Sequence, residues 1–159
     1  VQSQKGQGSQ FNIFLPASAK QVLTIAESAP DIIKGSGTIL MVDDEEMVLD
    51  VGARVLKKLG YTVLESNSGR HAIELYQKLR DKINLVVLDI VMPDMGGAEV
   101  YERLKEINPD VKVLLSSGYS INDQARELME RGCDDFIQKP FSLKAMSDKI
   151  AGILSKNPD

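Results

Sequence analysis

The segment "LVVLDIVMPDMGG" (residues 85–97) decides the fold of this chain. Its first four residues are all apolar, which is typical of a strand that is buried on both faces of a sheet. The apolar run ends on Asp89, and a turn that contains Pro93, Gly96 and Gly97 follows it. The next predicted helix begins at Gly96 or later, too far along the chain for Asp89 to cap it. A carboxylate at the tip of this strand therefore indicates a functional site.

Short apolar runs and amphipathic stretches alternate from Thr38 onward. The other apolar runs lie at 39–42, 62–65, 111–115 and 135–138. Apolar residues recur at helical spacing after each run and predict five helices, the weakest of them near 122–131. This alternation predicts an α/β fold in which five strands form a parallel sheet.

The composition limits the classes of protein to which the chain can belong. Its 159 residues suit one main domain with a short additional segment. The single cysteine, Cys133, excludes a disulfide framework, and no apolar run approaches the roughly 20 residues of a membrane-spanning helix. A net charge of −4 without a basic cluster argues against a nucleic-acid surface. We therefore expect a cytoplasmic domain that contacts neither membrane nor nucleic acid.

Polar side chains follow four of the five predicted strands. They are Asp43 and Asp44, Asp89, Ser117, and Lys139. Ligands of open α/β sheets bind at the carboxyl ends of the strands, so we expect these side chains to share one crevice. Three carboxylates without His or Cys predict a site for Mg²⁺ (or Mn²⁺), which prefers oxygen ligands and retains waters. Lys139 and Ser117 add an ammonium and a hydroxyl that suit a phosphoryl group on Asp89.

Each of these residues also has a simpler structural interpretation. Asp43 or Asp44 could cap the helix that begins near Glu45, Ser117 could form a turn, and Lys139 could be a solvated loop residue. Their joint occurrence at four strand ends favours the functional interpretation.

Four motifs, in this order, carry a resemblance to a known family: "ILMVDDEE", "LVVLDIVMPDMGG", "LLSSGYS" and "DFIQKPF". From Thr38 to about Lys156 the chain resembles the receiver domain of two-component response regulators. The resemblance implies a flavodoxin-like, doubly wound (βα)5 fold with five parallel strands in the order 2-1-3-4-5. It also implies a phosphoacceptor in a phosphorelay.

The resemblance assigns roles to the acidic residues. Asp89 would be the phosphoacceptor, which takes a phosphoryl group from the phosphohistidine of a histidine kinase or histidine phosphotransfer domain. Asp43, Asp44 and Asp89 would hold Mg²⁺ together with the backbone carbonyl of Val91. The side chains of Val91 and Tyr119 would flank the route of an attacking water.

The resemblance also implies a conformational switch. Ser117 and Lys139 would contact the phosphoryl group, and the aromatic ring of Phe136 would turn inward when Ser117 moves toward it. The surface of helix 4, strand 5 and helix 5 would change as a result, and it is a candidate for homodimer formation. The Lys139–Pro140 peptide is expected to be cis, which X–Pro chemistry permits.

The front of the chain has a different character. The stretch "KGQGSQFNIFLPAS" (5–18) looks like the last strands of a histidine kinase ATP-binding domain, with an alternating strand at "FNIFLP" (11–16). Taken alone, Gly6-x-Gly8 predicts a loose loop. We therefore expect a tail of that domain at 1–17, a linker at 18–36, a receiver domain at 37–156 and a short tail at 157–159. The parent would be a hybrid histidine kinase, and the receiver would catalyse its own phosphotransfer and slow autodephosphorylation without kinase activity.

Two other classes remain as alternatives. A metal-dependent phosphohydrolase of the HAD-like class also uses a strand-end aspartate with Mg²⁺, but such enzymes usually carry a second acid where this chain has Val91. A receiver-like docking module without phosphorylation is the other, although the full set of acids, hydroxyl and lysine argues against it. His71 lacks the sequence setting of a phosphodonor histidine, so we expect a surface helix residue. Cys133 is expected to be a small buried residue.

Overall fold

The computed structural model describes residues 1–14, 32–118 and 123–155, and these ranges contain seven strands and five helices. In chain order they are β1 (Gln2–Gln4), β2 (Gly8–Gln10), β3 (Thr38–Val42), α1 (Glu46–Lys58), β4 (Thr62–Ser66), α2 (Gly69–Leu79), β5 (Ile83–Asp89), α3 (Gly97–Ile107), β6 (Val113–Ser117), α4 (Asp123–Glu130), β7 (Asp135–Gln138) and α5 (Leu143–Ser155). None of the helices in the described part of the chain is long and apolar enough to cross a membrane.

Strands β3 to β7 form one sheet in the order β4-β3-β5-β6-β7, and every neighbouring pair is parallel. Counted from β3, this is the order 2-1-3-4-5, so the predicted flavodoxin-like fold is confirmed. Two strands differ most from their predicted bounds: the one at 111–115 begins at Val113 and extends to Ser117, and the one at 85–88 extends from Ile83 to Asp89. Val111 resembles a strand residue because it is apolar, but it is buried in the turn after α3. Its N–H donates there to the carbonyl of Asn108.

Both faces of the sheet are covered, as the uninterrupted apolar strands predicted. Alternate strand residues such as Leu40, Val86 and Leu115 pack against α2, α3 and α4. Their neighbours in sequence, such as Leu85 and Leu114, pack on the other face against α1 and α5. This alternation decides which strand-end side chains can meet.

The turn after β5 passes very close to the strand that it leaves. The N–H of Gly97 donates to the carbonyl of Ile90 at 2.9 Å. A Cβ atom on Gly97 would lie 2.4 Å from the carbonyl oxygen of Asp89, so only glycine fits there. The Lys139–Pro140 peptide after β7 is cis, as expected.

The front of the chain differs in part from the prediction. β1 and β2 form an antiparallel hairpin, so Gly6 (φ +83°) lies in a defined turn and Gly8 (φ +91°) begins β2, rather than both lying in a loose loop. Residues 11–14, predicted as an alternating strand, are not in a strand, and Phe11, Ile13 and Phe14 are exposed.

The described end of the predicted linker is attached to the domain. Residues 15–31, which include most of that linker, lie outside the described residues. The hydroxyl of Ser147 on α5 accepts from the N–H of Ile33 at 2.9 Å and donates to its carbonyl at 2.8 Å. The N–H of Gly35 donates to the carbonyl of Leu59 at 2.9 Å.

Candidate functional site

The carboxyl ends of β3, β5 and β7 bring two acids and one lysine together. Lys139 Nζ lies 2.5 Å from Asp43 Oδ2 and 2.7 Å from Asp89 Oδ1. The backbone of Lys139 continues the pairing of β7 with β6, because its N–H donates to the carbonyl of Ser117 at 2.7 Å. Thus the sheet itself fixes the origin of the lysine side chain, and the ammonium bridges two carboxylates.

Each acid is held by its own backbone as well as by Lys139. Asp43 Oδ1 accepts from the N–H of Glu45 at 3.2 Å, and Asp89 Oδ2 accepts from the N–H of Val91 at 3.2 Å. The two acids are 1% and 5% exposed, respectively. Asp43 thereby holds the turn before α1 and also faces Lys139, but it does not cap the helix, so its simpler interpretation as a cap was wrong. Glu45 occupies the N-cap position without a side-chain cap bond.

Three carboxylates lie close enough to share one metal ion. Asp43, Asp44 and Asp89 each offer one oxygen, and these oxygens lie within 4.8 Å of one another. Metal–oxygen distances of about 2.0–2.1 Å separate opposite ligands of an octahedral Mg²⁺ by about 4 Å. Small movements of the three side chains would bring their oxygens to the separation that one hard cation needs, and none of the acids comes with a His or Cys ligand that would favour a softer metal.

Burial and ion pairing set the protonation of this cluster. Desolvation raises the pKa of Asp89, although the hydrogen bond and charge of Lys139 oppose the rise. Burial alone would lower the pKa of Lys139, but its bonds to Asp43 and Asp89 outweigh burial and raise it. The lysine is therefore a permanent cation at physiological pH, and Asp89 is a carboxylate whose charge is poorly solvated.

Ser117 and Phe136 lie on the opposite face of the sheet from Asp89. Leu115 is opposite Phe136 and Ser117 is opposite Gln138 in the pairing of β6 with β7. Phe136 is buried in the core beneath α4. Ser117 is also buried, at the strand end above that core. Their shared face is consistent with the predicted switch pair, whose roles stay predictions.

The remaining predicted residues have clear positions. Val91 has an exposed side chain beside Asp89, and the metal-binding role of its carbonyl stays a prediction. Tyr119 lies outside the described residues. His71 is exposed on α2 and its Nδ1 is 3.0 Å from Ser66 Oγ, which confirms a surface helix residue. Cys133 is buried, as expected, and burial raises the pKa of its thiol to about 12.

Sequence reasoning gave no role to two features beside the site. Ser116 is 2% exposed and is paired in register with Asp89. An apolar surface also borders Lys139, formed by Met47 and Val51 of α1 and by Phe141. Met47 and Val51 are 81% and 53% exposed. Their spacing of four residues places them on one helix face, a signal that the sequence contained.

The chain belongs to the response regulator receiver domain family, whose model matches residues 39–151. The sensor kinase CckA of Brucella abortus is 36% identical over 165 residues, which cover 97% of this chain and 17% of that protein. A response regulator receiver domain protein from Clostridium thermocellum has a TM-score of 0.71 at 25% identity, covering 74% of this chain and 94% of that one. The receiver domain from the hybrid histidine kinase CckA has a TM-score of 0.63 at 28% identity, covering 75% of this chain and 100% of that one.

These comparisons bear directly on the alternatives. Family membership and the matching receiver structures support neither the phosphohydrolase nor the unphosphorylated docking module. The chain spans only about a sixth of the length of the Brucella relative.

Proposed function

We propose that this chain is a phosphoacceptor domain in which Asp89 takes a phosphoryl group from a phosphohistidine. The observation that carries this proposal is the contact of one ammonium with two buried acids, 2.5 Å from Asp43 and 2.7 Å from Asp89. A lysine in that position can neutralise an oxygen of a phosphoryl group once it is attached to Asp89.

Phosphoryl transfer requires the protein mainly to position the reacting groups and to neutralise the charge of the phosphoryl oxygens. An Asp89 carboxylate oxygen attacks phosphorus, the oxygen–phosphorus bond forms, and the nitrogen–phosphorus bond of the donor histidine breaks. The electron pair of that bond returns to the imidazole, which then takes a proton from solvent. The Val91 N–H that contacts Asp89 Oδ2 keeps the carboxylate oriented. Burial leaves the carboxylate poorly solvated and therefore a better nucleophile.

We propose Mg²⁺ (or Mn²⁺) as the cofactor, held by Asp43, Asp44 and Asp89 together with the carbonyl of Val91. The support is the set of three carboxylate oxygens within 4.8 Å of one another. Such an ion supplies positive charge for the phosphoryl oxygens. Asp43 and Asp44 would orient the ion, and Lys139 would donate to a phosphoryl oxygen.

Intact-mass measurement after incubation with acetyl phosphate and Mg²⁺ tests the proposal. We expect the mass of one phosphoryl group to be added to the wild type, and none to be added to Asp89→Asn or to wild type in EDTA. Asp81→Asn, an exposed acid on the opposite edge of the sheet, is the matched control and should be phosphorylated normally. Continuous phosphate release without an adduct, from several unrelated phosphomonoesters, would support the hydrolase alternative instead.

We propose that the parent protein is a hybrid histidine kinase and that residues 1–17 are the tail of its ATP-binding domain. The 97% coverage of this chain by the CckA relative includes the front segment and supports this assignment. The exposed Phe11, Ile13 and Phe14 suit a segment that packs against an upstream domain. Receiver family membership also supports a cytoplasmic location, and the net charge of −4 supports a partner other than nucleic acid.

We propose that the donor domain docks on the apolar surface of Met47, Val51 and Phe141. This surface borders Lys139, so a domain seated there can present its histidine to Asp89. Val51→Asn should slow transfer from a phosphorylated histidine phosphotransfer domain while leaving phosphorylation by acetyl phosphate unchanged. Equal slowing with both donors would contradict this docking site. The surface of α4, β7 and α5 stays available for the proposed switch and for a homodimer.

A further inference from the structure

Ser116 is a buried polar residue for which the fold gives no structural reason. Among the residues that the structure describes, its hydroxyl has no hydrogen-bond partner, and the residue is 2% exposed. Native proteins rarely bury a hydroxyl without a partner, because its lost hydration is not compensated. A residue such as alanine would fill this position without that penalty.

The register of the sheet places Ser116 directly beside the phosphoacceptor. It is paired with Asp89 on β5 and with Ile137 on β7. Residues paired across parallel strands point to the same face. Leu114, two residues before Ser116, and Ile137 both belong to the core on the α1 and α5 side, as do the β5 residues that alternate with Asp89. Ser116 and Asp89 therefore lie on that face of the sheet, whereas Ser117 lies on the opposite face.

The path of the Lys139 side chain crosses β6. The sheet order places β6 between β7, which Lys139 follows, and β5, which carries Asp89. Lys139 Nζ nevertheless lies 2.7 Å from Asp89 Oδ1. The β6 residue paired with Asp89 is Ser116, so this small side chain lies between β7 and the acid on the face of the sheet that carries Asp89.

The ammonium has one more donor than its two acid partners use. Lysine carries three N–H donors, and Lys139 directs them toward one oxygen of Asp43 and one of Asp89. A phosphoryl group on Asp89 and a cation at Asp43 would both compete for those oxygens. The ammonium must then be held by other groups if it is to stay on the phosphoryl oxygen.

We propose that Ser116 is a positioning residue for Lys139: its hydroxyl oxygen accepts an N–H of the ammonium when Asp89 is being phosphorylated. This inference rests on the proposed phosphoacceptor function. The two adjacent serines thereby have separate roles. Ser116 positions Lys139 on the face of the sheet that carries Asp89, and Ser117 lies on the face that carries Phe136. The Ser116 hydroxyl lacks a partner in the unphosphorylated protein because its hydrogen bond forms only in the phosphorylated state.

The variant Ser116→Ala separates this role from a structural one. If the hydroxyl has no partner in the unphosphorylated protein, its removal should leave the Tm unchanged or raise it. With acetyl phosphate and Mg²⁺, we expect the rate at saturation to fall about tenfold and the half-saturating concentration to change less than about twofold. A lower Tm or loss of folding would show a structural role and overturn the proposal.

A direct readout of the lysine completes the test. In protein labelled with ¹⁵N-lysine and bound to beryllium fluoride and Mg²⁺, the Nζ protons of Lys139 should exchange with water faster in Ser116→Ala than in wild type. Ser155→Ala, at the exposed end of α5 and away from the site, should leave this exchange unchanged. Equal exchange and equal rates in wild type and Ser116→Ala would overturn the role of Ser116 alone. Absence of any adduct on wild type would overturn the phosphoacceptor function itself.

Discussion

The two ends of the parallel strands differ in how their polar groups are paired. At the amino ends of the strands (the amino edge), polar groups form hydrogen bonds with one another. At the carboxyl ends (the carboxyl edge), buried charges only partly compensate each other. At the amino edge, the N–H of Thr62 donates to the carbonyl of Gly37 at 2.8 Å, and the N–H of Thr38 donates to the side chain of Asn84 at 2.8 Å. The Ser147 hydroxyl uses both its donor and its acceptor on Ile33. This edge attaches the incoming chain to the domain.

The carboxyl edge has the opposite character. Two acids that are at least nine-tenths buried share one ammonium, and the buried Ser116 has no partner among the described residues. Such an arrangement stabilises the protein poorly, because desolvation of the charges consumes much of the attraction between them. The residues that contribute least to the stability of the fold are thus the ones whose chemistry suits phosphoryl transfer.

Removal of the shared ammonium should have the largest effect. Lys139→Met leaves Asp43 and Asp89 buried without a counterion, and we expect a loss of about 3–5 kcal/mol in the free energy of unfolding. Mg²⁺ should restore much of this loss. Urea denaturation with and without Mg²⁺ measures both effects.

Lys144→Met is the matched control for that experiment. Lys144 also forms an ion pair, with Asp148 at 2.7 Å, but both side chains are about half exposed. Its replacement should change the free energy of unfolding by less than about 1 kcal/mol, with no response to Mg²⁺. Equal losses in the two variants would mean that the carboxyl-edge cluster is not energetically distinct.

At the amino edge, Gly60→Ala should destabilise the protein without affecting phosphorylation. Gly60 has a φ of +101°, and a Cβ atom there would lie 2.5 Å from the carbonyl oxygen of Gly35. We expect a loss of at least about 1–2 kcal/mol in the free energy of unfolding. Gly152→Ala on α5 has open space around the new Cβ and should instead stabilise by about 0.4–1 kcal/mol. An altered phosphorylation rate in folded Gly60→Ala would contradict the separation of the two edges.

The raised pKa of Asp89 gives a smaller, pH-dependent effect. Folded protein holds the Asp89 proton to a higher pH than the unfolded chain, whose aspartates titrate near 3.9. As the pH rises from about 3.9 through the folded pKa, ionisation of Asp89 therefore lowers stability. Asp89→Asn should have a higher Tm than wild type at pH 7, and the difference should shrink as the pH falls toward 4. A difference that grows on acidification would contradict burial as the dominant cause of the shift.

The sequence predicted the sheet and most of the site because both follow from local patterns. Strands buried on both faces read as uninterrupted apolar runs, and the carboxyl ends of parallel strands share an edge. Asp43, Asp89 and Lys139 could therefore be brought together before any coordinates were known. The structure adds the contact distances and the direction of each pKa.

The features that the sequence did not predict depend on non-local pairing. The role of Ser116 requires the register of β6 against β5, which no local pattern specifies. The attachment of Ile33 joins residues 114 positions apart. The alternation of Phe11, Ile13 and Phe14 resembles a strand, but a strand needs a partner edge, and these side chains are exposed in the described part of the chain.

Localisation of the phosphoryl group on the chain tests the central claim most directly. Protein treated with acetyl phosphate and Mg²⁺ is reduced with borohydride, which converts an aspartyl phosphate to homoserine, and is then digested and sequenced by mass spectrometry. We expect homoserine at position 89, dependent on Mg²⁺ and strongly diminished in Lys139→Met. Homoserine at another aspartate, or at none while the intact protein still carries phosphate, would contradict it.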